Sequence, residues 1–149
     1  MKGETSTRAV CPLCDSPGGD LVWSSKSLRV VLPDEPDYPG FTRVIWRLHV
    51  AEMTDLDAAD RSSLMRVVWS VEQVQRTVLV PDKVNLASLG NVVPHLHWHV
   101  IPRWRDDRHF PQPVWGAPAQ RDEAVTAARG RAVQALLPAY RAALIAALG

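Results

Sequence analysis

Between Pro94 and Pro102 the chain reads His95-Leu96-His97-Trp98-His99-Val100-Ile101, three histidines at spacing two with apolar residues between them. In a β-strand, residues two apart share a face and stand about 6.5–7 Å from one another. A strand here lines up the three imidazoles on one side and seats Leu96, Trp98 and Val100 against a core. A helix, with its period of 3.6, would scatter them around its circumference. Tryptophan, valine and isoleucine favour strands, and proline at both ends bounds the run. Three chemistries suit such a row. The histidines form a metal site, or a nucleophile with proton-transferring neighbours, or a solvated face with no chemistry. Either functional reading expects the row on an exposed sheet face at a cleft.

The run resembles the signature of the histidine-triad (HIT) family, His-φ-His-φ-His-φ-φ with φ apolar. The likeness extends through Gly90 to Pro94, Pro102-Arg103, Arg47-Leu48-His49 and Asp55-Leu56, so it covers roughly Cys11 to Trp115. It implies a nucleotide phosphoramidate or dinucleoside polyphosphate hydrolase. His97 would attack the α-phosphorus to form a covalent nucleotidyl-histidine, and His99 would assist at the phosphoryl oxygens or the leaving group. A nucleotidyltransferase or phosphorylase shares the first half-reaction. Transferases of the uridylyl type usually carry glutamine in the place of His99, which argues against that branch. A noncatalytic nucleotide-binding module and a three-histidine metallohydrolase are the other readings.

Both cysteines lie in Cys11-Pro12-Leu13-Cys14. That spacing is a metal half-site, a redox pair or two reduced thiols. Redox dithiols usually open a helix after a strand, where the helix end lowers a thiol pKa. Here Asp15-Ser16-Pro17-Gly18-Gly19 follows, which is loop chemistry. Two thiolates do not complete a zinc site, which takes four ligands. The resemblance implies that His49 and His95 supply the others, giving a structural zinc on Cys11, Cys14, His49 and His95. No organic cofactor is expected.

Elsewhere the pattern is that of a small α+β domain. Leu21–Trp23 and Leu28–Leu32 read as a hairpin, and Thr42–Leu48 alternates Val44, Trp46 and Leu48 against Arg43, Ile45 and Arg47. Thr54–Arg76 reads as a helix whose apolar stripe is Leu64, Val67, Val68, Val71 and Val74, continuing to Val78. Lys83–Ser88 is a further strand, and Trp104–Gly116 an irregular arm. Asp122–Leu148 reads as a helix interrupted near Pro138. Candidate nucleotide or phosphate contacts are Asp34, equally a solvated loop residue; Asn85, equally a satisfied structural amide; Asn91; and Trp115. The resemblance implies that the arm carrying Trp115 reaches a partner's site, with ordinary packing as the alternative. His109 reads as a surface histidine. Three positions depart from the family's habit: Phe41 stands where many relatives have a histidine, Asn91 where many have glutamine, and Val92 where a hydroxyl is common.

These readings assemble into an antiparallel sheet of about five strands with one long helix and a C-terminal helical extension. Residues 1–118 form the HIT-like part, and 119–149 an extension packed on it. The resemblance further implies a homodimer acting on a nucleotide. With 17 basic and 16 acidic residues and no basic tract, a nucleic-acid polymer is not an expected partner. No apolar run is long enough to span a membrane. Met1–Arg8 lacks the apolar region of a signal peptide, so a cytoplasmic protein is expected.

Overall fold

The computed structural model describes residues 10–149; the signal-peptide reading, which concerns Met1–Arg8, lies outside the described residues. Five strands form one antiparallel sheet: β1 (Asp20–Ser24), β2 (Leu28–Leu32), β3 (Thr42–Trp46), β4 (Lys83–Ala87) and β5 (His97–Arg103), in the spatial order β1-β2-β3-β5-β4. Three helices accompany it: a single turn α1 (Pro12–Asp15), α2 (Ala58–Val74) and α3 (Glu123–Leu148).

Register decides which residues share a face. Val44 pairs with Val30 and Trp98, Thr42 with Val100, and Leu86 with Val100, so these point one way. That face is packed by Leu64, Val67, Val68, Val71 and Val74 of α2 and by Val133, Tyr140 and Leu144 of α3. The apolar stripe read from the sequence is therefore the one that is buried. The opposite face carries Arg29, Val31, Arg43, Ile45, Asn85, His97, His99, Ile101 and Arg103, for Arg43 pairs with His99, Ile45 with His97, and Asn85 with Ile101. One side of the sheet makes the core; the other holds the polar chemistry.

The α2 helix starts three residues later than its composition suggests, because Asp57 accepts from the Asp60 amide at 2.8 Å and caps it there. Met53–Asp55 form a separate 3₁₀ turn. At the far end the helix widens into a π-turn, Gln75–Leu79, which places the buried Gln75 amide on the carbonyls of Gly40 (3.1 Å) and Val100 (2.9 Å). The interruption expected near Pro138 does not occur. α3 runs unbroken through Pro138, which is exposed. The carbonyl that loses its helical partner there can be served by water. Tyr140 anchors α3 below the sheet, its hydroxyl 2.6 Å from Thr42 Oγ1. No helix among the described residues is long and apolar enough to cross a membrane.

Candidate active site

His97 opens β5, and its ring is fixed by the chain just before it. Its Nδ1 donates to the His95 carbonyl at 2.5 Å, which commits the ring proton to Nδ1 and leaves the Nε2 lone pair free. His99 follows on the same face, with ring centroids 4.8 Å apart. Phe41 lies edge-on to His99 at 5.3 Å and Trp115 at 5.1 Å, and His99 Nδ1 is buried without a hydrogen-bond partner. The row is not the open face expected: His97 is 8% exposed, His99 5% and His95 0%. Loops cover the face at both ends. Cys11 and Leu13 pack on Val31 and Ile45 at one end, and Tyr38 and Phe41 on Ile101 at the other.

Burial, and after it the charge of Arg43, hold His97 below the usual imidazole range, against the pull of the His95 carbonyl. Burial, then the charges of His97 and Arg43, push His99 down to about 3. Both rings are thus neutral at neutral pH, and a neutral His97 with a free Nε2 is a competent nucleophile.

His95 precedes the strand rather than belonging to it, and its side chain joins a different group. Its Nε2 donates to the Trp46 carbonyl at 2.6 Å, which turns Nδ1 toward the cysteines. Nδ1 lies 3.5 Å from Cys11 Sγ, 3.5 Å from Cys14 Sγ and 3.3 Å from His49 Nδ1, and Cys14 Sγ is 3.4 Å from His49 Nδ1. All four ligand atoms lie within 4.8 Å of one another. A tetrahedral ion with bonds of about 2.3 Å to sulfur and about 2.0–2.1 Å to nitrogen sets sulfur and nitrogen about 3.5 Å apart and two nitrogens about 3.3 Å apart. The donor set and its spacing fit such an ion, and the Trp46 carbonyl is the partner that a ligating imidazole needs on its other nitrogen. Arg29 holds the cysteine turn in place through the carbonyls of Pro17 (2.9 Å) and Ser16 (3.2 Å).

A HIT-domain family model matches residues 18–106, the span that contains the sheet, α2 and the histidine row. The chain belongs to the HIT family. It is 31% identical over 98 residues to an AP-4-A phosphorylase of Mycobacterium tuberculosis, a stretch that is 62% of this chain and 50% of that protein. It is 28% identical over 95 residues to an asymmetrical bis(5'-nucleosyl)-tetraphosphatase of Schizosaccharomyces pombe, 60% of this chain and 52% of that one. The match spans about half the length of these two relatives. Among solved structures, a histidine triad protein from Bradyrhizobium japonicum superposes with a TM-score of 0.61 at 29% identity, over 78% of this chain and 90% of that one.

Beyond His99 this HIT protein carries a buried polar network that the sequence reading did not anticipate. Asp107 accepts from Arg103 Nε (2.8 Å) and Nη2 (3.1 Å), from the amides of Trp104 (3.1 Å), His109 (3.0 Å) and Phe110 (2.7 Å), and from the Tyr38 hydroxyl (3.2 Å). His109 is not a surface residue but is 9% exposed, with Nδ1 2.7 Å from the same hydroxyl. Since the single tyrosine proton serves Asp107, His109 donates to the tyrosine oxygen. This network folds the arm back over its own sheet, and so brings Trp115 to the His99 of the same chain. Of the other candidates, Asn85 gives its amide oxygen to Arg103 Nη1 at 2.8 Å. Asn91 and Asp34 are exposed in loops, away from the histidine row. Arg43, whose field reaches both His97 and His99, was also missed. Its signal was the alternation that puts it on the face of Ile45, but only the β3–β5 register reveals that this face is the histidine face.

Proposed function

We propose that the protein is a nucleotidyl hydrolase working through a covalent nucleotidyl-histidine. The observation that carries this is the bond from His97 Nδ1 to the His95 carbonyl, which leaves Nε2 as the one reactive atom of a neutral, immobilised ring. In the first step, Nε2 forms a bond to the α-phosphorus of a nucleotide phosphoramidate or dinucleoside polyphosphate. The bond from phosphorus to the leaving group breaks, and the leaving group departs with that electron pair. His99, kept neutral by its surroundings, donates an N–H to a phosphoryl oxygen or to the leaving group. In the second step, water attacks phosphorus, the nitrogen–phosphorus bond breaks, and the nucleoside monophosphate is released. Splitting the displacement in two lowers each barrier.

Phosphate rather than water as acceptor is the second reading, favoured by the 31% identity to a protein named a phosphorylase. Trp115, 52% exposed beside His99, is placed to cover a bound nucleotide. Asn85, Asn91 and Asp34 stand as secondary contacts. Cys11, Cys14, His49 and His95 would hold a structural zinc, whose part is to fix the His95 end of the strand. Residues 119–149 belong to one folding unit with 1–118, since Val133, Tyr140 and Leu144 complete its core. A homodimer follows from the same family reading, and exposed Trp69 on α2 (55%) and the open edge of β4 suit it; light scattering showing only monomer at micromolar concentration counts against it.

The deciding experiment is rapid-quench mass spectrometry with an adenylated substrate. Wild type should accumulate an adenylyl adduct on His97, and His97→Ala should show neither adduct nor turnover while still binding nucleotide, because the loss falls on the chemical step. An adduct on His97→Ala, or none on wild type under turnover, rejects the covalent route. Adding inorganic phosphate separates the two acceptors: a phosphorylase then yields nucleoside diphosphate.

A further inference from the structure

Arg43 is the one cation on the histidine face whose donors are left largely uncommitted. It lies on β3 directly across from His99. Its Nη1 donates to the Gly18 carbonyl at 3.1 Å, while its Nε is buried with no partner. Among the described residues no carboxylate lies within ion-pairing distance of it; Glu35 acts on it only through its field. Arg103, on the same face, is the contrast, with each nitrogen bonded to Asp107, Asn85 or the Gln112 carbonyl. A guanidinium stays charged and presents five donors in a fixed fork that matches oxyanions. Leaving such a group half-buried and unmet is costly unless a ligand meets it.

The space it borders is suited to that. A cavity of about 390 Å³ is lined by Arg43 and His97 together with Pro12, Leu13, Gly18 and Val93, and no carboxylate lines it. Gly18 keeps its wall bare: at φ +82° a Cβ there would stand 2.7 Å from Leu13 Cδ2.

We propose that Arg43 is a specificity-determining residue that binds a second oxyanion of the substrate, one phosphate beyond the phosphate held at His97. This deepens the nucleotidyl-transfer reading and rests on it. The ligand class is a nucleotide bearing at least two phosphates. The second lies either along the chain or on the ribose, since both present the same oxyanion to the fork.

Calorimetric titration of the full metal-loaded chain with three probes tests this: AMP, α,β-methylene-ADP and adenosine 3′,5′-bisphosphate. Wild type should bind one of the two bisphosphates about tenfold or more tightly than AMP, the increment of one charge-assisted fork. The probe that gains tells where the second phosphate sits. Arg43→Met should erase the gain while leaving AMP within about twofold, and Arg43→Lys should keep part of it; unchanged zinc content and melting temperature show that both variants are folded. Bisphosphates that bind wild type no better than AMP overturn the inference, without needing any variant. So does an Arg43→Met that weakens all three probes alike. Failure of all three to bind wild type instead rejects the nucleotide reading itself, and the inference with it.

Discussion

Two polar clusters bracket His97 and His99, and they are satisfied in opposite ways. At the amino end of β5, Cys11, Cys14, His49 and His95 turn four electron-pair donors toward one point. Nothing in the chain answers them there except one another. At the carboxyl end, Arg103 and Asp107 are buried to 2% and 3% exposure, and nearly every donor has its acceptor within the chain. The first cluster is built to be completed from outside, and the second is closed. The reactive ring therefore sits between a part whose order depends on an ion and a part whose order depends only on sequence.

Removing the metal should give the largest effect of any change. Binding of a structural zinc is folding free energy, of order 10 kcal/mol in small zinc domains. Here part of the sheet persists without it, so incubation with a chelator should lower the melting temperature by about 10 °C or more. Cys11→Ser should do the same and lower the zinc content measured by elemental analysis. The arm should be untouched, so hydrogen exchange at the amides of His109 and Phe110 should stay slow. If a chelator leaves the melting temperature unchanged, or if the purified protein contains no zinc, the four donors are only thiols and imidazoles in hydrogen-bonding contact, and the contrast between the two ends is lost.

Asp107→Ala should come next. It strands the Arg103 guanidinium in the interior, where breaking a buried pair costs about 3–5 kcal/mol, and it also frees three arm amides. Zinc content should not change, which separates this loss from the first. Trp115 should leave His99, visible as a red shift and quenching of tryptophan fluorescence relative to wild type. An Asp107→Ala protein that melts within 1–2 °C of wild type would show that the arm is held by its apolar contacts, with the network a passenger.

How much of this was legible beforehand follows the range of each interaction. The strand under the histidines was legible because period two is local, and so was the stripe of α2 because period 3.6 is local. The four metal donors were legible because resemblance supplied His49 and His95, which the Cys11-Pro12-Leu13-Cys14 spacing alone leaves open. The Arg103–Asp107 pair sits at spacing four in a segment without helix, and an exposed pair would have the same sequence. Its burial depends on Tyr38, which is 69 residues from Asp107 in the chain. His109 looked like surface for the same reason. Pro138 misled in the other direction. Proline reports a missing amide proton, but it does not say whether the orphaned carbonyl faces water.

Acid should distinguish the ends by a smaller margin. Burial works against the charge of Asp107, but the bonds from Arg103 and from the Phe110, His109 and Trp104 amides outweigh it and hold the carboxyl below its usual range. A folded pKa below the unfolded one contributes stability that is complete above the unfolded value, about 3.9, and is lost as pH falls through the folded value. The difference in melting temperature between wild type and Asp107→Asn should therefore be constant from neutrality down to about pH 5 and narrow below about pH 4. A gap that is flat through pH 3 would mean that the carboxylate charge is not what the arm uses.

The smallest effect is expected one residue away. Asp106 makes the same kind of bond, to Arg129 Nε at 2.8 Å and Nη2 at 2.9 Å, and the Arg129 bond is the main reason its carboxyl also lies below the usual range. By distance alone it matches the Arg103–Asp107 pair. The difference is solvent: the Arg129 and Asp106 side chains are 35% and 38% exposed, so water competes for both ions and stands ready to replace either partner. Exposed pairs contribute about 0–1 kcal/mol. The bidentate geometry and the Arg129 guanidinium over the Trp104 ring, 5.4 Å from its centroid, put this one toward the upper part of that span. Asp106→Asn should thus shift the melting temperature by no more than about 3 °C, and added salt should shrink the shift further, whereas the Asp107→Asn shift should be nearly indifferent to salt. Equal costs for the two neighbouring aspartates would mean that burial is not what divides them, and that the α3 helix depends on its tie to the arm as strongly as the arm depends on Arg103.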